Sequence, residues 1–195
     1  PLAADGVGFS LVPVHPNQNV NPNDPASWRA SSQPGGSPGG DDPVLNLAPV
    51  LITEVLTHTD LPELDAIELH NPSPFIANIG DWYLSDDRSI PKKLRIPFGT
   101  TIPAGGNLVF RENDFNGTPG VAPSFTLSSH GEEVFLNSAD RAGNLTGYSD
   151  GFAFGAAENG VSFGRYTNSV GDIFYPAQSV NSFGRSNAGP KVGPV

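Results

Sequence analysis

Apolar and polar residues alternate with a period of two along most of this chain, in short runs bounded by Gly, Pro, Asn and Asp. Such runs are typical of antiparallel strands, in which successive side chains point to opposite faces of a sheet. At Trp82-Tyr83-Leu84 the alternation predicts that the indole and the leucine face the core. Nine strands are predicted, at 50–56, 66–71, 82–85, 93–96, 107–111, 124–127, 133–136, 148–153 and 161–165.

Helical periodicity is weak throughout the sequence. No window of eleven or more residues keeps its apolar positions at helical spacing, so little α-helix is predicted beyond one short turn at 113–115. The 23 Gly and 20 Pro residues suit short strands joined by tight turns. Together these features predict an all-β, antiparallel β-sandwich of seven to nine strands.

Similarity between two parts of the sequence suggests how the chain is organised. Residues 4–11 (ADGVGFSL) resemble 157–164 (AENGVSFG), 24–31 resemble 175–186, and each copy leads into a Gly/Pro-rich stretch. We therefore expect residues 1–43 to be the C-terminal tail and linker of a preceding module, and 44–195 to be a complete module that ends near residue 190. Chance similarity between Gly/Ser-rich loops is the alternative. No Met stands at position 1, so we expect a piece of a longer protein.

Charge and composition exclude several classes of function. The net charge is −10 and the ten Lys and Arg residues are scattered, which argues against binding to nucleic acid or to an anionic membrane surface. No apolar run approaches 18 residues, so no membrane insertion is expected. The absence of Cys excludes disulfides, thiolate zinc sites and cysteine nucleophiles.

Five ordered motifs then carry a family resemblance. They are ITEV at 52–55, IELHN at 67–71, GDWYLSD at 80–86, PFGTTIPAGGNLV at 97–109 and FTLSSHGEEVFL at 125–136. With a looser match over 137–186, the chain resembles the lamin-tail domain in its bacterial form. The resemblance implies an immunoglobulin-like sandwich without catalytic residues, carried as an appendage of secreted or cell-surface proteins.

Glu54 and Glu68 are the candidates for acid–base chemistry, because they are expected on adjacent strands and paired carboxylates can serve a hydrolase. The alternative is that both are structural, pairing with Arg or accepting hydrogen bonds from backbone N–H groups. We favour the structural role and expect no enzymatic activity.

An acidic loop is the candidate metal site. Asp60, Glu63 and Asp65 lie within six residues and could hold Ca²⁺ with oxygen ligands, although their spacing is not that of an EF-hand. Asp41-Asp42 and Asp86-Asp87 are weaker candidates. No other cofactor is expected, and the four His residues have no zinc-site spacing.

These observations favour a noncatalytic, extracytoplasmic interaction or spacer module of a larger secreted, cell-surface or periplasmic protein. A carbohydrate- or calcium-dependent adhesion module is the first alternative, with Phe75, Tyr83, Tyr166 and Tyr175 as candidate sugar-stacking aromatics if they are exposed. A hydrolase domain is the second. Neighbouring domains, other proteins or surface polysaccharide are the expected partners. Residues 4–14 are predicted to form an apolar strand that adds to a sheet edge of this module or mediates a homodimer.

Overall fold

The computed structural model describes residues 2–18, 21–118 and 124–193. Within these ranges the chain is an all-β sandwich with fourteen strands and one short α-helix. The strands are β1 Phe9–Pro13, β2 Trp28–Pro34, β3 Leu51–Leu56, β4 Ala66–His70, β5 Ala77–Asn78, β6 Tyr83–Ser85, β7 Leu94–Arg95, β8 Thr101–Ile102, β9 Asn107–Arg111, β10 Glu132–Ala139, β11 Leu145–Phe154, β12 Ser162–Gly164, β13 Tyr166–Thr167 and β14 Ile173–Phe174. The helix, α1, spans Glu112–Phe115, and 3₁₀ turns cover Leu2–Ala4 and Pro25–Ser27.

Two four-stranded antiparallel sheets form the sandwich in the described part of the chain. One has the strand order β11-β10-β6-β7 and the other β12-β3-β4-β9. These eight strands confirm the predicted fold class. The other six strands pair as the small ribbons β1-β2, β5-β8 and β13-β14.

The main core lies between the two sheets. Ile52, Ile67 and Leu69 of one sheet and Leu84 and Leu136 of the other are fully buried in a single cluster. The cluster also contains Trp82, whose ring lies 5.7 Å from that of Tyr148. Aromatic side chains of this size dominate the burial of apolar area in a small sandwich.

A second, smaller core lies on the outer face of the β11-β10-β6-β7 sheet. Phe9 and Ala30 from the N-terminal segment pack there against Tyr83, Ala139 and Leu145. The predicted alternation is therefore confirmed, since Trp82 and Leu84 face the main core while Tyr83 faces outward. Tyr83 is nevertheless buried, with 8% of its surface exposed, because residues of 2–18 and 21–34 cover that face.

The strand predicted within 4–14 is present as β1, but its backbone pairs with β2 of the same segment. It thus finds its partner locally rather than adding to an edge of the sandwich. Phe9 is buried on the sheet, whereas Leu11 is 54% exposed. A homodimer through this strand remains a prediction. The Gly/Ser/Pro stretch at 34–43 is anchored where Asp42 accepts hydrogen bonds from Arg29, Ser32 and Ser37.

The two segments that are similar in sequence adopt different structures. Residues 162–164 pair with β3, whereas the corresponding residues of the first copy, 9–11, are part of β1, which pairs with β2. Trp28–Pro34 is a strand, but its counterpart within 175–186 forms only an isolated bridge at Ala177 and one at Gln178. The tandem-module organisation therefore remains a prediction from sequence.

Most predicted strands occur within one to four residues of their expected limits, and 107–111 is reproduced as predicted. The prediction of a strand at 124–127 is wrong. Phe125 instead stacks on Phe115 with ring centroids 4.9 Å apart, and its N–H donates to the Phe115 carbonyl. The helical turn expected at 113–115 is α1. Across the described ranges, no helix is long and apolar enough to cross a membrane.

Candidate functional site

The carboxylates predicted to be neighbours are indeed cross-strand partners. Glu54 on β3 lies directly opposite Glu68 on β4, so both side chains project from the outer face of this sheet. A β-bulge between Ile52 and Glu54 also turns Thr53 to the same side, where its hydroxyl donates to Glu68 Oε1 at 2.7 Å. Glu54 and Glu68 are 0% and 1% exposed, so the surface that they share is covered.

The cover is a C-terminal segment, residues 175–191, here called the strap. Both oxygens of Glu54 accept hydrogen bonds from it: Ser182 N–H donates to Oε1 and Oε2 at 2.9 and 3.1 Å, and Ser182 Oγ donates to Oε2 at 2.7 Å. Ser162 Oγ on β12 donates to Oε1 at 2.5 Å. Glu54 therefore ties the strap to the sheet.

Glu68 holds the next part of the strap. Its Oε2 accepts a hydrogen bond from Gly184 N–H. Burial raises the pKa of Glu68 above its usual value, and the neighbouring charge of Glu54 adds to this effect, while the hydrogen bonds from Gly184 and Thr53 oppose it. The two carboxyl groups thus meet hydroxyl and backbone donors rather than cations.

Two amide side chains complete the attachment of the strap. Asn187 Nδ2 donates to the carbonyls of Thr53 and Arg165, each at 2.8 Å. Gln178 Nε2 donates to the Gly164 carbonyl at 3.2 Å, and Gln178 Oε1 accepts from Gly189 N–H at 2.9 Å. A Cβ at Gly164 would lie 2.7–2.8 Å from these two amides, so only glycine lets the strap approach β12 this closely.

An open groove of about 510 Å³ lies between the strap, the Gly105-Gly106 turn and the ends of β3, β4 and β12. Among the described residues, those that line it are all polar or glycine: Thr53, Glu68, His70, Gly105, Gly106, Asn107, Arg165, Thr167, Gly184, Arg185, Ser186 and Asn187. We call it the polar groove. Its lining suits a hydrogen-bonding, hydrophilic ligand and not an apolar one.

Two arginines, Arg165 and Arg185, are among the residues that line the groove. Arg165 is half-buried, and its Nη1 donates to the Tyr175 hydroxyl at 2.6 Å; the Tyr175 ring in turn stacks on Phe152 with centroids 3.8 Å apart. Arg185, on the strap, is exposed, and its Nη2 makes one long contact of 3.4 Å with the Asn181 carbonyl. Arg165 is thus positioned by packing, whereas Arg185 is free to turn toward a ligand.

His70 and Asn107 form the groove floor next to the glycine turn. The Asn107 amide satisfies both of its atoms when its nitrogen donates to His70 Nδ1 at 2.6 Å and its oxygen accepts from Arg185 N–H at 3.2 Å. In the neutral imidazole this orientation leaves the proton on Nε2, which makes His70 a hydrogen-bond donor.

Residues of the predicted calcium loop are near one another but are engaged separately. Asp65 is 9% exposed and accepts from Thr59 Oγ1 at 2.9 Å, and burial raises its pKa. Asp60 accepts from Asn159 at 2.5 Å, while Glu63 is exposed. In residues 2–18, 21–118 and 124–193, no three acidic or His side chains converge into a group able to hold a metal ion. Calcium at Asp60, Glu63 and Asp65 stays a prediction.

The weaker acidic pairs are also used within the fold. Asp42 lies 2.6 Å from Arg29, Asp86 lies 2.5 Å from Lys93, and Asp87 accepts from Ser89. Of the four candidate aromatics, Phe75 and Tyr166 are 76% and 38% exposed. Tyr83 is buried, and the Tyr175 ring is stacked on Phe152 and has the Arg165 guanidinium over it, so neither ring is available for stacking on a sugar.

Sequence reasoning identified Glu54 and Glu68 but missed what holds them. The signal was present in the tetrapeptide Ser-Phe-Gly-Arg, which occurs twice, at 162–165 and at 182–185. The serines of both copies bond Glu54, and the arginines of both copies line the polar groove. The repeated tetrapeptide therefore builds the strap anchor and the groove together.

No protein-family model, curated protein or solved structure matches this chain. The lamin-tail resemblance accordingly rests on the sequence motifs alone, and the site is interpreted from its own geometry.

Proposed function

We propose that this chain is a noncatalytic, extracytoplasmic interaction or spacer module of a larger secreted or cell-surface protein, of the lamin-tail type that its motifs resemble. The observation that carries the proposal is the state of Glu54. Both of its oxygens accept hydrogen bonds from Ser162 and Ser182, and the side chain is 0% exposed. A general acid or base must come within hydrogen-bonding reach of a substrate, and Glu54 is closed off from one.

Glu68 supports the same proposal. It lines the polar groove, but its oxygens accept from Thr53 and Gly184, so its role is to fasten the strap. A paired mechanism needs two carboxyl groups that both face the substrate. With Glu54 beneath the strap, the hydrolase alternative lacks its second group.

The polar groove favours one alternative, an adhesion module that binds carbohydrate. Its hydrophilic lining is the specific observation in favour, whereas the calcium-dependent form of this alternative rests on Asp60, Glu63 and Asp65 alone. An extracytoplasmic location and neighbouring domains as partners rest on the family resemblance.

A hydrolase screen tests the noncatalytic proposal. The protein and its Glu68→Gln variant are incubated with glycoside, ester and phosphomonoester substrates, and product formation is measured. We expect no turnover by either protein. A turnover that Glu68→Gln abolishes, while far-UV circular dichroism shows the variant still folded at the assay temperature, would overturn the proposal.

A further inference from the structure

We propose that the polar groove binds an acidic saccharide, with Arg165 and Arg185 holding the carboxylate of a uronic acid unit. The inference rests on the proposed function, because it names the ligand class of a noncatalytic interaction module. The two guanidinium groups come from the two Ser-Phe-Gly-Arg copies, whose serines share Glu54 as their acceptor. Arginine in a rigid frame is the side chain best suited to grip a planar carboxylate with paired hydrogen bonds.

Charge balance in the groove favours a single negative charge on the ligand unit. The lining contains Arg165 and Arg185 against one carboxyl group, Glu68. The whole chain has a net charge of −10, so this groove is a local exception to a repulsive surface. A dianionic phosphate would meet Glu68 and the overall field, whereas one carboxylate matches the excess of one cation.

Hydroxyl recognition distinguishes a sugar from a bare carboxylate. Thr167 and Ser186 add hydroxyl groups that both donate and accept hydrogen bonds, and neutral His70 adds an Nε2–H donor. Gly105 and Gly106 leave the wall opposite without side chains, which gives a ring close access to the backbone. This density of paired donors and acceptors suits the hydroxyl groups of a pyranose.

The lining also explains why an acidic sugar is favoured over a neutral one. Neutral sugars usually rely on an aromatic ring on which to stack, and the described lining of the groove contains none. Charge-assisted hydrogen bonds from the arginines replace that contribution. A peptide is disfavoured because the same lining offers no apolar pocket for its side chains.

Titration by ¹⁵N NMR tests this proposal with three probes: trigalacturonate, the neutral trisaccharide maltotriose, and a short Gly/Ser peptide with a free C-terminal carboxylate. We expect trigalacturonate to shift the amide signals of Gly105, Gly184 and Asn187, and the other two probes to leave them unchanged. Arg185→Gln is expected to raise the Kd for trigalacturonate about tenfold or more, since one charge-assisted fork is lost.

Arg141→Gln is the matched control. Arg141 is exposed and lies over the Phe98 ring, outside the groove, so this variant removes the same charge without touching the site. Equal weakening by Arg185→Gln and Arg141→Gln would overturn the groove assignment, because it would indicate a general charge effect. Thermal unfolding of both variants establishes that each is folded, as expected for exposed side chains.

The remaining outcomes separate this inference from the proposed function. Absence of trigalacturonate binding, or binding of the peptide instead, overturns the acidic-saccharide ligand and leaves a noncatalytic module intact. Reducing ends are measured in the same samples. Binding accompanied by new reducing ends supports the ligand class and overturns the noncatalytic function.

Discussion

A buried carboxylate is tolerated only when its oxygens accept hydrogen bonds, and Glu54 meets this requirement with donors that are distant in sequence. Ser162 lies 108 residues away and Ser182 lies 128 residues away. One side chain thus joins β3, β12 and the strap. Its removal would leave several buried donors without acceptors, and each unsatisfied group costs about 1–3 kcal/mol.

Substitution of Glu54 measures this connection. Glu54→Ala is expected to lower the free energy of unfolding by about 2–4 kcal/mol, since the Ser182 N–H and the Ser162 hydroxyl lose their acceptor. Glu54→Gln keeps one acceptor oxygen, and its NH₂ can donate to a serine Oγ, so a loss of about 1 kcal/mol or less is expected. Urea denaturation measures both; an alanine variant no less stable than the glutamine variant would contradict the anchoring role.

At the scale of residues, the sequence was sufficient to place Glu54 and Glu68 on neighbouring strands, because strand alternation and the fold motifs locate them. It was insufficient to identify their partners. Ser182 and Gly184 lie in the strap, which forms no strand in the described chain and has only two isolated bridges, Ala177 to Phe163 and Gln178 to Pro190, so no periodicity marks it. Such contacts depend on how the strap crosses the sheet, which is a tertiary property.

At the scale of elements, the N-terminal segment is held against the sandwich by a very close backbone approach. Gly147 on β11 has a φ of +83°, and a Cβ there would lie 2.1 Å from the Ser31 carbonyl oxygen. Gly99 has a similar φ of +82°, but a Cβ there would meet nothing within 4 Å. The two glycines share the same backbone requirement, but only Gly147 is in contact with β2 and, through Phe9, with β1.

This difference allows the packing of β1 and β2 to be tested without deleting them. Gly99→Ala is expected to cost about 1–2 kcal/mol of stability from its positive φ alone. Gly147→Ala adds a clash of about 1–3 kcal/mol and should push β2 away from β11. Hydrogen exchange is expected to show lost protection in Phe9–Pro13 and Trp28–Pro34 for Gly147→Ala only. Unchanged protection there would mean that the segment is not packed on this face.

The strands differ in how well they can be predicted from their own sequences. Strand β9 was predicted with its observed limits because Val109 and Phe110 give a short apolar run that begins after a Gly-Gly turn. Strand β2 was missed because Trp28–Pro34 is dominated by small and polar residues. The β13-β14 ribbon was missed because its four strand residues are exposed and carry no burial pattern.

At the scale of the whole molecule, both sheets have their outer faces covered, one by residues of 2–18 and 21–34 and the other by the strap. Ionisable groups are buried on the outer face beneath the strap, near the ends of strands, and at Asp150, which accepts a hydrogen bond from Ile52 N–H of the opposite sheet. Burial raises the pKa of four carboxyl groups above their ordinary values of 3.8 for Asp and 4.5 for Glu; these are Asp65, Glu68, Glu132 and Asp150. Three other carboxyl groups have lowered pKa values.

The carboxyl groups with lowered pKa values are Asp42, Asp87 and Asp140. Hydrogen bonds from Ser89 and Asn144 lower the pKa of Asp87 and Asp140 respectively. At Asp42 burial acts to raise the pKa, but the hydrogen bonds from Arg29, Ser32 and Ser37 together outweigh it. In these three groups the unfolded chain binds protons more readily, so the stability that they contribute is lost as the pH falls below about 3.8.

The four carboxyl groups with raised pKa values change stability with pH in the opposite direction. At a pH between the unfolded and folded pKa values of such a carboxyl group, the folded state binds more protons than the unfolded state. The stability that the group contributes is therefore fully present below its unfolded pKa and is lost as the pH rises. For Glu68 and Asp150 this loss begins above about pH 4–4.5. The net charge also grows from zero near the isoelectric point of about 4.6 to −10 at pH 7, which increases repulsion in the compact state.

The lowered pKa values, the raised pKa values and the growth of net charge together place the maximum of stability in mildly acidic solution, at about pH 4–5. The urea midpoint is expected to be higher at about pH 4.5 than at about pH 7.5, by roughly 0.5 M or more. Glu68→Gln and Asp150→Asn should each reduce the difference in urea midpoint between the two pH values, because each removes a carboxyl group whose pKa is raised by burial. Asp41→Asn removes an exposed charge as a matched control, and should reproduce only the smaller effect of net charge. A midpoint at pH 7.5 equal to or above that at pH 4.5 would show that the buried carboxyl groups do not govern the pH dependence of this fold.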